Sequence, residues 1–206
     1  TNQCNAGVHV INCSMQFRGQ RDLDYSPSEV YLDYMVRSKR LTFVVAAGNY
    51  GIRVNSPGLA YNVITVGGFY NAGTKEPNDD VLYDVSGYND TTGCFKPDLI
   101  ADMPEMRDKD MAGNPIISVP GTSFAAPVVT GTVALLYQLR PALTTQPEAV
   151  KAILMASCHR KVKADPNDAL PGEAMTDGLT KRQGAGAMDP YKAVAIAGSH
   201  HYNIHT

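Results

Sequence analysis

The chain lacks an excess of charge of either sign, clustered cysteines and any long uninterrupted apolar run. Its 18 Lys and Arg face 20 Asp and Glu, a formal net charge of -2. That balance gives no electrostatic footing for nucleic acid or an anionic membrane surface, and neither is expected as a partner. Cys4, Cys13, Cys94 and Cys158 are scattered with no C-x-x-C pair, which argues against a zinc site and outlines no disulfide framework. Apolar runs are broken by Thr, Gly, Pro or Gln before the roughly 18 residues a spanning helix needs, so a soluble domain is expected. The sequence opens at Thr1 without an initiator Met, a basic leader or a signal-type apolar segment. The expectation is a piece of a longer product.

What is present suits one globular domain: 206 residues, 44% hydrophobic and 18% charged, enough to bury a sizeable core. "VHVINCS" (8–14) and "TFVVAAG" (42–48) read as strands flanking a helix, a βαβ unit. The helix start is marked by Ser26 as N-cap, Pro27 at the first position and Glu29 completing a capping box. Val30, Tyr31, Tyr34 and Met35 are its expected apolar face. "NVITVGG" (62–68) predicts a third strand after a Ser56–Gly58 turn, and such continuous apolar runs suit a parallel sheet covered on both faces. Residues 71–114 predict loops and short strands broken at Lys96-Pro97-Asp98. A helix from Thr122 to about Leu139 is apolar almost all round and should be enclosed, with Pro127 in its opening turns, where a missing N–H costs least. Thr145, Pro147 and Glu148 predict a further capped helix, and Asp189-Pro190 opens a last one through about Ala197.

Ser123 follows Gly121-Thr122 at a helix start, where free backbone N–H groups and the positive end of the helix dipole favour a developing anion. Capping of a core helix by Ser123 or Thr122 is the bland alternative. "VVAAGNYG" (44–51) ends a buried strand in small residues and delivers Asn49 to the carboxyl edge of the sheet, where open α/β sheets bind ligands. An amide there can donate to the oxyanion of a tetrahedral intermediate, although Gly-Asn after a strand is also an ordinary turn pair.

"GTSFAAPVVTG" resembles the nucleophile motif of the subtilisin-like serine proteases (subtilases, peptidase family S8), and "VVAAGNYG" resembles their oxyanion-hole strand. "VINCSM", "SPGLAYNVITVGG", "KPDLIA", "LTTQPEAVKAILMAS" and "GAGAMDPYKAV" extend the similarity from Val8 to Ala195. The resemblance implies a three-layer α/β/α fold with a mainly parallel sheet, here the carboxyl-terminal portion of one catalytic domain and incomplete without its upstream part. It implies Ser123 as the acylated nucleophile, with Asn49 and the Ser123 N–H as oxyanion donors and Thr122 as a substrate-binding residue beside them. Ser14, Met15 and Gln16 match the strand that pairs with a peptide or protein substrate, and Ala46, Ala47 and Gly48 match one pocket wall. Departures occur at Gln16, usually Gly in the family, at Ala101-Asp102-Met103 in place of Ala-Pro-Gly, and at Val128 in place of a common His.

A serine nucleophile needs a base, and the base needs an orienting carboxylate. The family carries these in Asp-Ser/Thr-Gly and His-Gly-Thr-His motifs upstream of the strand at 8–14, and neither is found in the chain. His9 reads as a packed or edge histidine, His159 as a helix-end contact, His200, His201 and His205 as tail, and Glu105, Asp108 and Asp110 as solvated loop. The resemblance therefore implies a serine endopeptidase unable to work without an upstream segment of the same domain, with exposed sheet surface that favours self-association. The competing reading is a non-catalytic pseudoprotease or peptide-binding module. An α/β-hydrolase is excluded because Gly121-Thr122-Ser123-Phe124-Ala125 lacks the second Gly of G-x-S-x-G, and Asn49 argues against the Glu/Asp carboxyl-peptidase branch. Calcium commonly stiffens the family, but Asn78, Asp79 and Asp80 do not have the spacing of a calcium loop, and no cofactor or metal is expected to be required. Secretion follows from family analogy alone.

Overall fold

The computed structural model describes residues 7–16, 25–51, 53–54, 56–89, 95–104, 107–109, 111–117, 120–164, 175–176 and 179–199. Cys4, Cys94, Glu105, Asp110, His200, His201 and His205 lie outside them. The elements are β1 (Val10–Cys13), α1 (Pro27–Lys39), β2 (Thr42–Ala46), β3 (Ile64–Tyr70), β4 (Val81–Leu82), β5 (Leu99–Asp102), β6 (Arg107–Lys109), β7 (Pro115–Ile117), α2 (Thr122–Leu139), α3 (Pro147–Ser157), β8 (Met175–Thr176), β9 (Leu179–Thr180) and α4 (Pro190–Gly198). A 3-10 turn (Pro141–Thr145) joins α2 to α3.

β1, β2, β3 and β5 are parallel, with β1 on β2, β2 on β3 and β3 on β5. Within this sheet β4 alone runs antiparallel, against Phe69 and Tyr70 at the end of β3; β6–β7 and β8–β9 are separate antiparallel pairs. Alternation along each strand divides the core. Val44, Ala46, Ile64, Val66, Leu99 and Ala101 face α2, α3 and α4. Phe43 and Val45 face Met35 and Val36 of α1 on the other side. The result is the three-layer α/β/α arrangement, its middle strands buried on both faces as parallel sheets require.

α1 starts as its sequence dictates, with the Ser26 and Glu29 capping box formed and Pro27 in the first turn. Its buried face differs from the expected one: Met35 is buried, but Val30, Tyr31 and Tyr34 are 51%, 55% and 55% exposed. Polar anchors set the roll of the helix. Glu29 is fully buried under Ser26, and the Asp33 carboxylate accepts from the Tyr61 and Asn62 amides at 3.1 and 2.6 Å and from the Tyr25 hydroxyl. α2 spans the expected residues but is not enclosed. Ala125, Ala126, Val129, Val133 and Leu136 are buried, whereas Leu135 and Leu139 are 51% and 44% exposed. With 18 residues and a mean hydropathy of 1.2, α2 also attains the length of a spanning helix, contrary to expectation; its buried stripe against the sheet is that of a core helix. Thr145 does not cap α3: it closes the 3-10 turn by donating to the Ala142 carbonyl, and Gln146 takes the cap position without a side-chain bond. Asp189 caps α4 as expected, accepting from the Lys192 N–H at 3.0 Å.

Beneath the sheet, the buried Asp98 bridges Lys96 and Lys151, each at 2.8 Å, and accepts from the Thr65 N–H at 2.7 Å. Burial alone would raise the Asp98 carboxyl, but the two ammonium groups outweigh it and hold it below the ordinary aspartate range.

Candidate active site

The carboxyl ends of β1 and β2 meet the first turn of α2. β2 is fully buried and leads through Ala47 and Gly48, both buried, to the exposed Asn49. The Gly48 backbone is fixed from both sides: its N–H donates to Thr122 Oγ1 at 3.0 Å, and its carbonyl accepts from the Gly87 N–H at 2.8 Å. A Cβ at Gly87 would lie 2.4 Å from the Ala47 carbonyl oxygen, so only glycine allows that approach.

The Asn49 side chain is held by its oxygen. Oδ1 accepts from the Thr122 N–H at 2.9 Å and from Thr122 Oγ1 at 3.0 Å. Its Nδ2 lies where a Cβ on Gly121 would approach to 2.8 Å; the missing side chain at 121 makes room for the amide. A helix leaves its first N–H groups without intrahelical partners. Asn49 takes that of Thr122, and the N–H of Ser123 is next in the turn. Gly121 supplies no side-chain cap, so neither Ser123 nor Thr122 is a simple N-cap: both lie inside α2. The Asn49 amide is thus bonded to the residue that precedes Ser123.

Ser14, just past β1, donates from Oγ to the Ser123 carbonyl at 3.0 Å. It accepts from Asn12 Nδ2 at 2.9 Å, and Asn12 Oδ1 in turn accepts from Thr130 Oγ1 of α2 at 3.0 Å. Met15 is exposed and Gln16 half-buried. Ser14 and Met15 also line an apolar groove of about 700 Å³ with Ile11, Cys13, Tyr31 and Phe43. That groove is on the α1 side and includes neither Ser123 nor Asn49. Asn12, Thr130, Gly121 and Gly87 belong to the site's framework; the first three fall within the quoted motifs without a role read for their side chains, Gly87 lies outside them, and each acts through a contact distant along the chain.

The described histidines are placed elsewhere. His9 precedes β1 at the amino edge, edge-on to Tyr137 at 6.3 Å, and five residues of extended chain put it roughly 16 Å from Ser14. His159 pairs with Ala187 in an isolated bridge. Burial lowers its pKa, and its charged neighbours are Asp189, Asp80, Lys161 and Lys192. Of the Asn78–Asp80 group, Asp79 accepts from Thr74 Oγ1 and Asp80 from the Ala72 N–H.

The subtilase family model matches residues 1–186. Serine protease AprX of Bacillus subtilis (strain 168) is 31% identical over 147 residues, covering 63% of this chain and 33% of AprX. The self-cleaved protease domain of PatA superposes with a TM-score of 0.67 at 23% identity, covering 96% of this chain and 65% of that one. Fervidolysin from Fervidobacterium pennivorans, a keratinolytic enzyme related to subtilisin, superposes with a TM-score of 0.65 at 21% identity, covering 93% and 27%. The chain thus spans a third of AprX and under two thirds of the PatA domain, and its fold is that of subtilisin-like proteases.

Proposed function

The chain belongs to the subtilase family, and from that premise we propose that it supplies the nucleophile and oxyanion hole of a serine endopeptidase whose base and orienting carboxylate come from a segment outside Thr1–Thr206. The observation that carries the reading is the Thr122–Asn49 pair of hydrogen bonds. With Oδ1 occupied, Nδ2 is the end of the amide left to donate to an oxyanion formed at Ser123.

In the proposed reaction Ser123 Oγ attacks the peptide carbonyl carbon and loses its proton to the external base. The carbonyl oxygen becomes an oxyanion that accepts from Asn49 Nδ2–H and the Ser123 N–H, interactions stronger in the transition state than with the planar substrate. The C–N bond then breaks, the base returns the proton to the leaving amine, and water hydrolyses the acyl-serine. Ser14, Met15 and Gln16 pair with the extended substrate backbone by strand addition, and Ala46, Ala47 and Gly48 form a pocket wall. No step requires a metal or cofactor.

An external segment is supported by what β1 leaves open. Among the described residues β1 pairs only with β2, and Ile11 and Cys13 are only partly buried. Parallel strands are ordinarily covered on both faces. A further parallel strand on this edge, crossing over right-handedly as βαβ units do, would bring a helix alongside α1 and into the groove lined by Ile11, Cys13, Tyr31 and Phe43. Without it the chain self-associates through this surface.

The test is peptide hydrolysis by the purified chain, alone and together with the segment preceding it. The proposal expects activity only in the second case, abolished by Ser123→Ala. Full activity of the chain alone, lost in Ser123→Ala, would place the base within Thr1–Thr206. An intact pair that binds peptide without hydrolysing it would favour the pseudoprotease reading.

A further inference from the structure

The Ser123 carbonyl sits in an α-helix, where its ordinary partner is the N–H four residues on. That residue is Pro127, which has no N–H to give. The hydroxyl of Ser14 donates to this carbonyl instead, at 3.0 Å, from 109 residues away in sequence. Ser14 is itself oriented: Asn12 Nδ2 donates to its Oγ at 2.9 Å, which leaves the hydroxyl proton for Ser123, and Asn12 is tied to α2 through Thr130 Oγ1 at 3.0 Å. β1 is thereby fastened to α2 at Ser123 and again, two turns along, at Thr130.

We propose that Pro127 and Ser14 are one positioning device: the proline frees the nucleophile's carbonyl, and the serine on the substrate-pairing strand takes it, so that strand and nucleophile are aligned by a single hydrogen bond. Pro127 is exposed, so its burial does not explain its presence; what it changes is the donor inventory of the first turn. Ser14 and Asn12 are positioning residues, acting through Ser123 and touching no reacting atom with their side chains. A carbonyl deprived of a partner lets the first turn shift, and an ångström of misplacement is costly in catalysis. The inference rests on the proposed role of Ser123 as nucleophile.

The experiment compares Ser14→Ala, Ser14→Ala/Pro127→Ala and Ser123→Ala in the complete catalytic unit, with kcat and KM on a chromogenic peptide and thermal unfolding as the fold control. Ser14→Ala is expected to lower kcat about tenfold with KM moved less than about twofold, the scale of one lost hydrogen bond. Adding Pro127→Ala supplies an N–H inside the helix and is expected to restore most of the lost kcat, an effect that loss of stability at Ser14 would not produce. Ser14→Ala with unchanged kcat, or a double variant no better than Ser14→Ala, overturns the inference while Ser123→Ala is inactive. Activity retained in Ser123→Ala overturns the underlying reading instead.

Discussion

Gly121→Ala is the sharpest perturbation of the site because it adds one methyl group and nothing else. Gly121 has an extended backbone, φ -173 and ψ 165, which alanine adopts without strain. The objection is space. The new Cβ would lie 2.8 Å from Asn49 Nδ2 and 3.3 Å from its Cγ and Oδ1. The clash is with a side chain that can turn, so the fold is spared and the amide moves. Swinging Asn49 aside breaks its two bonds to Thr122, at roughly 1 kcal/mol each, which lowers Tm by a few degrees in a domain of this size. The effect on catalysis is larger, because the amide leaves the oxyanion. Losing such a donor costs about 10²-fold to 10³-fold in kcat, a scale taken from a related subtilisin. The assay is steady-state hydrolysis of a chromogenic peptide by Gly121→Ala, Asn49→Ala and the double variant in the complete catalytic unit. Each single variant should lose at least about 10²-fold in kcat, and the double should be no worse than Asn49→Ala, since both remove the same interaction. Gly121→Ala retaining half of its kcat, or multiplicative losses in the double, would refute the reasoning.

Other predictions concern stability and assembly. Asp98→Ala leaves the ammonium groups of Lys96 and Lys151 facing each other in the interior and should cost about 3–5 kcal/mol in urea unfolding; a loss under about 1 kcal/mol would contradict the bridging role. Because the Asp98 pKa is depressed in the fold, its contribution is complete above the unfolded value near about 3.9 and is lost as pH falls through the lower folded value. Unfolding midpoints taken below about pH 4 should therefore drop on acidification in the wild type, and Asp98→Asn should lack that component. Gly131 is exposed on α2, and a Cβ there meets nothing within 4 Å, so Gly131→Ala should stabilise by about 0.5–1 kcal/mol; destabilisation would mean that this helix face is covered. Tyr31→Arg, in the groove beside β1, should shift the isolated chain toward monomer in sedimentation, and an unchanged distribution would locate self-association elsewhere.

Much of the architecture was legible because local signals agreed with tertiary needs. Runs such as Phe43–Ala46 are apolar at every position because both faces of β2 are covered, and Ser26, Glu29 and Asp189 cap as their positions suggest. α1 misled because its roll answers to Asp33 and Glu29, whose partners include the Tyr61 and Asn62 amides about 30 residues on. The Thr145 position misled for a local reason: a 3-10 turn inserted before α3 moved the cap by one residue. At the site, Ser123 and Asn49 were legible as motifs, and Pro127 could be seen four residues after Ser123. The bond from Ser14, the space at Gly121 and the approach of Gly87 depend on long-range packing that no local pattern encodes.

The central claim, that Ser123 is the nucleophile and its base lies outside this chain, is tested most directly by phosphonylating the protein with a fluorophosphonate, whose fluoride the activated serine displaces, and locating the adduct by mass spectrometry. The account predicts an adduct on the Ser123 peptide in the complete catalytic unit, slowed by about 10²-fold or more in Asn49→Ala and in the isolated chain. Labelling of another residue, or equally fast labelling of Ser123 in Thr1–Thr206 alone, would contradict it.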